Sequence, residues 1–172
     1  MELPELYLSR PAVHLPGVRL TNDDIIEQLR ERFSGPDKLW ELIELQTRTI
    51  FERCGSEERY IENDPSVRVG DIGAIAARGC LETNELTPEL IDLVIHGAVA
   101  REYFEPSTAM EVAAKSGIER AHAFDVTSAC VGHLQTIHVA SGLMAVNPAM
   151  RNALLVAGEL TRQFLSRKID EL

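Results

Sequence analysis

Apolar positions recur at two different periods along this 172-residue chain, and each switch between them marks a change of element. Tyr7 to Leu15 reads as extended, followed by a turn at Pro16-Gly17. Helical spacing takes over with Ile25, Ile26, Leu29 and Phe33, so a helix starts at Thr21 or Asn22, both good caps. Gly35-Pro36 interrupts it. A second helix runs from about Pro36 through Leu39, Trp40, Ile43 and Ile50, and stops near Gly55. Val67 to Leu81 predicts a third, whose small residues Gly70, Gly73, Ala74 and Ala77 permit close approach. Thr87-Pro88 caps a short turn before the apolar run Ile91 to Ile95, a strand. Ser107 to Ser116 is helical with Gly117 as its stop. Ala121 to Ser128 reads as a strand, Cys130 to Ala145 as a helix, and Ala153 to Ala157 as a strand.

Apolar strands separated by helices imply a largely parallel sheet covered on both faces, so the predicted class is α/β. The helix from Cys130 is unusual. Val131, Leu134, Ile137, Val139, Leu143 and Met144 surround its axis, which predicts burial on all sides and a fold of more than three layers.

Composition narrows the function classes. An apolar fraction of 45% with 26% charged residues is that of an ordinary globular domain, with no repeat or low-complexity tract. Seventeen Lys and Arg against 27 Asp and Glu give a net charge of −10, which disfavours nucleic acid and anionic membrane surfaces as partners. The 25 residues from Val126 to Met150 carry no Asp, Glu, Lys or Arg. His133, Gln135, His138, Asn147 and Pro148 interrupt them, and the segment reads as buried in protein rather than in lipid. The first residues have neither the basic nor the apolar region of a secretory signal. Cys54, Cys80 and Cys130 cannot all pair and have no zinc-site spacing, so the expectation is a cytoplasmic protein without a metal.

The candidate chemistry lies at Phe124-Asp125-Val126-Thr127-Ser128-Ala129-Cys130-Val131-Gly132, where a buried strand turns into a buried helix. Free N–H groups and the positive dipole end of a helix favour a thiolate there, and the same donors can hold a carbonyl oxygen that becomes negative under attack. Two readings of Cys130 stand on the residues alone, a nucleophile and a small packed side chain. Cys54 and Cys80 lie on amphipathic helices and read as packed.

The run FDVTSACVG, with Gly142 in the same helix, resembles the nucleophile segment of the ketoacyl-ACP synthase III group in the thiolase superfamily. CGSEERYI, from Cys54 to Ile61, resembles that group's "TGI-x-x-R" element with Ser56 in place of its Ile, and LLVAGE, from Leu154 to Glu159, resembles the strand after the nucleophile helix. Ala100 to Ala109, AREYFEPSTA, is similar to a segment of the branch that joins two acyl chains by non-decarboxylating Claisen condensation. That branch includes the olefin-biosynthesis condensing thiolase and α-pyrone-forming ketosynthases. The resemblance implies that Glu105 reaches across a dimer into the partner's site as a base. A malonyl donor forms its carbanion by losing CO₂, whereas a plain acyl thioester must lose an α-proton to a positioned base. The other reading of Glu105 is a solvated loop carboxylate.

The resemblance further implies a five-layered αβαβα fold of two similar halves, with a mostly parallel mixed sheet. Residues 1–172 correspond to the N-terminal half. A C-terminal half, as a further segment or a separate chain, is expected to supply the catalytic His and Asn. The expected substrates are acyl-CoA or an acyl carrier protein, with no cofactor and an unassigned cofactor-binding set. Two alternatives stay open: a decarboxylating synthase III with a structural Glu105, and a non-catalytic subunit of a ketosynthase whose Cys130 is inert. His133, three residues beyond Cys130, reads as a core residue or one that supports the site from behind, and His138 as packed. Trp40 lies nine positions ahead of Thr49, where the group's CoA-stacking Trp would fall, and reads as core. Glu159 and Thr161 are expected near the sheet edge with no assigned role.

Overall fold

A computed structural model describes residues 5–99, 103 and 105–160. Two compact units divide the chain, one formed by Leu15–Asp64 and the other by the residues on either side of it.

In the Leu15–Asp64 unit, β1 (Val18–Thr21) pairs antiparallel with β2 (Glu58–Ile61), with Val18 opposite Ile61 and Thr21 opposite Glu58. Between them lie α1 (Asn22–Arg32) and α2 (Asp37–Cys54). Thr21 caps α1 reciprocally: its hydroxyl accepts from the Asp24 amide at 3.2 Å, and the Asp24 carboxylate accepts from the Thr21 amide at 2.7 Å. Gly55 ends α2 in the left-handed conformation, φ 63°, as the break after Cys54 predicted. Trp40 is buried, 5.6 Å from the Phe33 ring centroid, with the Arg30 guanidinium 5.3 Å from its own; its expected core role holds.

The second unit is built on a parallel sheet in the order β4-β3-β5: β3 is Leu93–Gly97, β4 His122–Val126 and β5 Ala153–Val156. The antiparallel pairing expected within a mixed sheet is confined to the separate β1–β2 ribbon. Leu93, Val94 and Ile95 have no exposed surface, and burying such side chains contributes about 1.5–3 kcal/mol each. On one face of the sheet, α3 (Val69–Thr83) and α4 (Thr108–Lys115) bury Ala77, Leu81, Ala109 and Val112 against Val94, Leu154 and Val156. On the other face, α5 (Gly132–Val146) packs Ala140, Val139 and Leu143 on Leu93 and Ile95.

Three layers are therefore visible among the described residues, and α5 is not buried on all sides. Gly132, Thr136 and Ala140 form one buried stripe at four-residue spacing, while Leu134 is 66% exposed. The sheet can cover only the stripe facing it. By length and composition, Ala129–Val146 is also the one described segment apolar enough to cross a membrane.

Residues 5–16, which include the stretch read as extended, pair with no strand. The Asn84 side chain takes the place of a neighbouring strand. Its Oδ1 accepts from the Arg10 amide at 3.1 Å, and its Nδ2 donates to the Arg10 carbonyl at 2.9 Å.

Candidate active site

Parallel strands gather their carboxyl ends on one side, and loops leaving that side are where α/β folds place their chemistry. Cys130 leaves β4 there. Between strand and helix stands a single 3₁₀ turn, Ala129–Val131, closed by the Val131 amide donating to Ser128 O at 3.1 Å. Cys130 is the central residue of that turn, two positions ahead of the first residue of α5, and its side chain is exposed.

Ala129 adopts φ +43°, a left-handed conformation that costs a residue with a Cβ about 1 kcal/mol or more. A strained strand-to-helix turn that presents a nucleophile outward is a recurring device of acyl-transfer enzymes. Glycines bring the start of α5 tight against the end of β3. A Cβ on Gly132 would lie 3.2 Å from Ala98 N, and one on Gly97 would lie 2.7 Å from Gly132 O.

Beneath the turn is a polar cluster absent from the expected site. His96 on β3 and Asp125 on β4 are register partners, with His96 Nδ1 3.8 Å from Asp125 Oδ1. His96 Nε2 donates to Gly158 O at 3.2 Å; a carbonyl only accepts, which fixes the proton on that nitrogen. Burial holds the His96 imidazole below its ordinary pKa, against the opposing pull of Asp125. Asp125 also accepts from two amides at the start of α4, Thr108 N at 2.9 Å and Ala109 N at 2.8 Å.

Glu105 lies three residues ahead of Thr108 and is exposed. The chain is held on either side of it: Glu159 Oε1 accepts from Val99 N at 2.6 Å, and Asp125 holds Thr108. Between these points the Arg68 guanidinium sits 5.1 Å from the Tyr103 ring centroid. Glu159, given no role by the sequence, thus fastens the chain just beyond β3. Thr161 lies outside the described residues.

No hydrogen bond joins Cys130, Glu105 and His133 among the described residues; what links Cys130 to Glu105 is β4 itself, through Asp125. His133 and His138 are not in the core of the described residues: both are exposed on α5, away from the stripe that meets the sheet. Cys54 is likewise exposed, at the last turn of α2, instead of packed. Cys80 is half-buried, its thiol 3.6 Å from Arg10 O. In the CGSEERYI segment, Arg59 stacks 4.0 Å from the Phe51 ring centroid and donates to Asn22 Oδ1, so its visible role is to tie β2 to α1 and α2. His96 and Asp125 were missed although a signal existed for His96, a titratable side chain inside an otherwise apolar strand run.

The thiolase N-terminal domain family matches residues 49–159, and the chain belongs to that family. β-Ketoacyl-[acyl-carrier-protein] synthase III of Helicobacter pylori strain J99 is 32% identical over 158 residues, which are 91% of this chain and 43% of that protein. The crystal structure of 3-oxoacyl-[acyl-carrier-protein] synthase III from Aquifex aeolicus superposes with a TM-score of 0.71 at 26% identity, covering 88% of this chain and 44% of the other. A Xanthomonas campestris OleA variant crystallised with lauric acid and lauroyl-CoA gives a TM-score of 0.74 at 25% identity, with coverage of 93% and 45%. The chain thus spans less than half the length of the relatives it matches.

Proposed function

We propose that this chain is the nucleophile-bearing half of an acyl-thioester condensing enzyme. The observation that carries the reading is Cys130, exposed on a strained turn between β4 and α5 in a family of condensing folds. Its thiolate attacks the carbonyl of an acyl thioester, and the CoA or carrier thiolate leaves, giving an acyl-enzyme. N–H groups at the start of α5 stabilise the oxyanion. A second acyl thioester loses its α-proton to Glu105 of a neighbouring subunit. The resulting carbanion attacks the acyl-enzyme carbonyl, a C–C bond forms, and the Cys130 thiolate departs as the β-ketoacyl product is released.

A C-terminal half supplies the His and Asn in this reading, a homodimer brings Glu105 to its partner's site, and the protein works in the cytoplasm. The chemistry asks for no metal or cofactor. Exposed apolar residues on α5 support a covering half, since soluble proteins rarely leave such surface open. The bound lauroyl-CoA of the OleA structure supports a long-chain acyl-CoA as substrate.

Exposure of the protein to lauroyl-CoA is expected to add one lauroyl group by intact mass, and Cys130→Ala to abolish the addition. Failure to acylate would replace this reading by a non-catalytic subunit. A decarboxylating synthase III is the second reading, favoured by the names of the curated relatives. Glu105→Gln decides between them. The non-decarboxylating mechanism requires it to stop condensation of two acyl-CoA molecules, whereas the decarboxylating one leaves condensation with a malonyl thioester intact.

A further inference from the structure

Asp125 carries more than a strand position. It stands on the strand that ends in the Cys130 turn, its side chain 9% exposed, and its two oxygens take the first two amides of α4. Ser107 completes the cap by accepting from Met110 N at 3.2 Å. A charged acceptor in a buried place makes short, strong bonds to such donors, and the two bonds fix both the position and the axis of the helix start. The chain ahead of α4 is Glu105-Pro106-Ser107. No other described polar side chain holds the Thr108 and Ala109 amides.

We propose that Asp125 is a positioning residue for Glu105: it locks the segment that carries Glu105 to the strand that carries Cys130. The proposal rests on the reading of Glu105 as the condensing base. Its consequence is a division between the two half-reactions. Loading of Cys130 uses the turn and the start of α5, which Asp125 does not touch. Abstraction of the α-proton needs Glu105 in place, and an error of about 1 Å in such a group costs about a hundredfold in rate.

Two variants act on the contact from opposite sides. Asp125→Asn keeps the shape but leaves one oxygen for two amides and turns an NH₂ group toward the other. Thr108→Pro deletes one of the two donors and leaves the buried carboxylate untouched. Proline is well accepted at the first position of a helix, and Ser107, at φ −64° and ψ 153°, already has the conformation a residue before proline needs. Asp125→Glu serves as the conservative variant.

The test uses the protein together with the C-terminal half that the proposed function calls for, incubated with lauroyl-CoA, with two readouts. Intact mass follows acylation of Cys130, and deuterium uptake at the α-carbon of lauroyl-CoA in D₂O follows the base. In both Asp125→Asn and Thr108→Pro the expected outcome is acylation within about threefold of the unaltered protein and α-exchange lower by about tenfold or more, with partial recovery of exchange in Asp125→Glu. Equal loss of acylation and exchange in Thr108→Pro would reduce Asp125 to a purely structural role and overturn the proposal. Unchanged exchange in both variants would overturn it as well while leaving Glu105 as base. Absence of exchange in the unaltered protein, with Cys130 acylated, would overturn the base reading and this proposal with it.

Discussion

His96 and Asp125 face each other across adjacent parallel strands, 3.8 Å from nitrogen to oxygen, with His96 only 2% exposed. Each also has a bond leading away from the sheet, His96 to the Gly158 carbonyl and Asp125 to the start of α4. The pair therefore ties together the carboxyl ends of all three strands.

The pH dependence of stability follows from the depressed His96 pKa. Burial favours the neutral ring in the folded protein, while the unfolded chain takes up a proton near its ordinary value of about 6.5. Below that pH the unfolded state binds more protons, so this contribution to stability is present above about 6.5 and is lost as pH falls toward the folded value. His96→Gln retains a donor for Gly158 but does not titrate. Melting temperatures at pH 7.5 and 5.5 are expected to fall further in the unaltered protein than in the variant.

The left-handed Ala129 makes a second prediction. Glycine adopts that conformation without steric cost but loses more chain entropy on folding, so Ala129→Gly is expected to change stability by less than about 1 kcal/mol. A β-branched Ala129→Val meets the full conformational cost and should lose about 2 kcal/mol. Urea titration reads both. Equal midpoints for the two variants would show that the turn carries no strain.

Close packing of α5 on β3 predicts opposite effects at two glycines. Gly97→Ala would push its Cβ to 2.5 Å from Thr136 Cγ2 and 2.7 Å from a backbone carbonyl oxygen, a clash expected to cost about 2–3 kcal/mol. Gly142, inside α5, has nothing within 4 Å of its would-be Cβ. Gly142→Ala is expected to stabilise by about 0.5–1 kcal/mol through helix propensity. Thermal unfolding of the two variants should move in opposite directions.

Asn84 is the handle for the segment 5–14. Asn84→Ala removes both hydrogen bonds to the Arg10 backbone, so the Arg10 amide is expected to exchange with deuterium about tenfold faster. Amides of β3, which rely on strand pairing, should be unaffected.

Much of this fold was legible where one residue decides one local event. Thr21 caps, Gly55 and Gly117 stop, and the short apolar runs at Ile91 and Ala153 lead into strands. The β1–β2 ribbon was not legible. Each strand has only four residues, β2 (Glu-Arg-Tyr-Ile) lacks apolar-polar alternation, and their pairing joins positions about forty residues apart. The exposure of His133 and His138 was hidden for a different reason. The apolar residues of α5 surround its axis, whereas among the described residues the sheet covers only the stripe of Gly132, Thr136 and Ala140. Cys130 and Glu105 stood out as candidates because the resemblance names them; the hydrogen bonds of Asp125 to the Thr108 and Ala109 amides did not, because no residue pattern displays bonds to backbone amides.

The stretch from Val99 to Thr108 is anchored at one end by Glu159 and at the other by Asp125, both outside it. Such a stretch behaves as a cartridge. Its interior can be exchanged for that of another thiolase-fold relative, carboxylate included or omitted, while the clips that seat it remain on the sheet. Gain or loss of a carboxylate at position 105 is then a matter of replacing that stretch, with no rebuilding of the turn that carries Cys130.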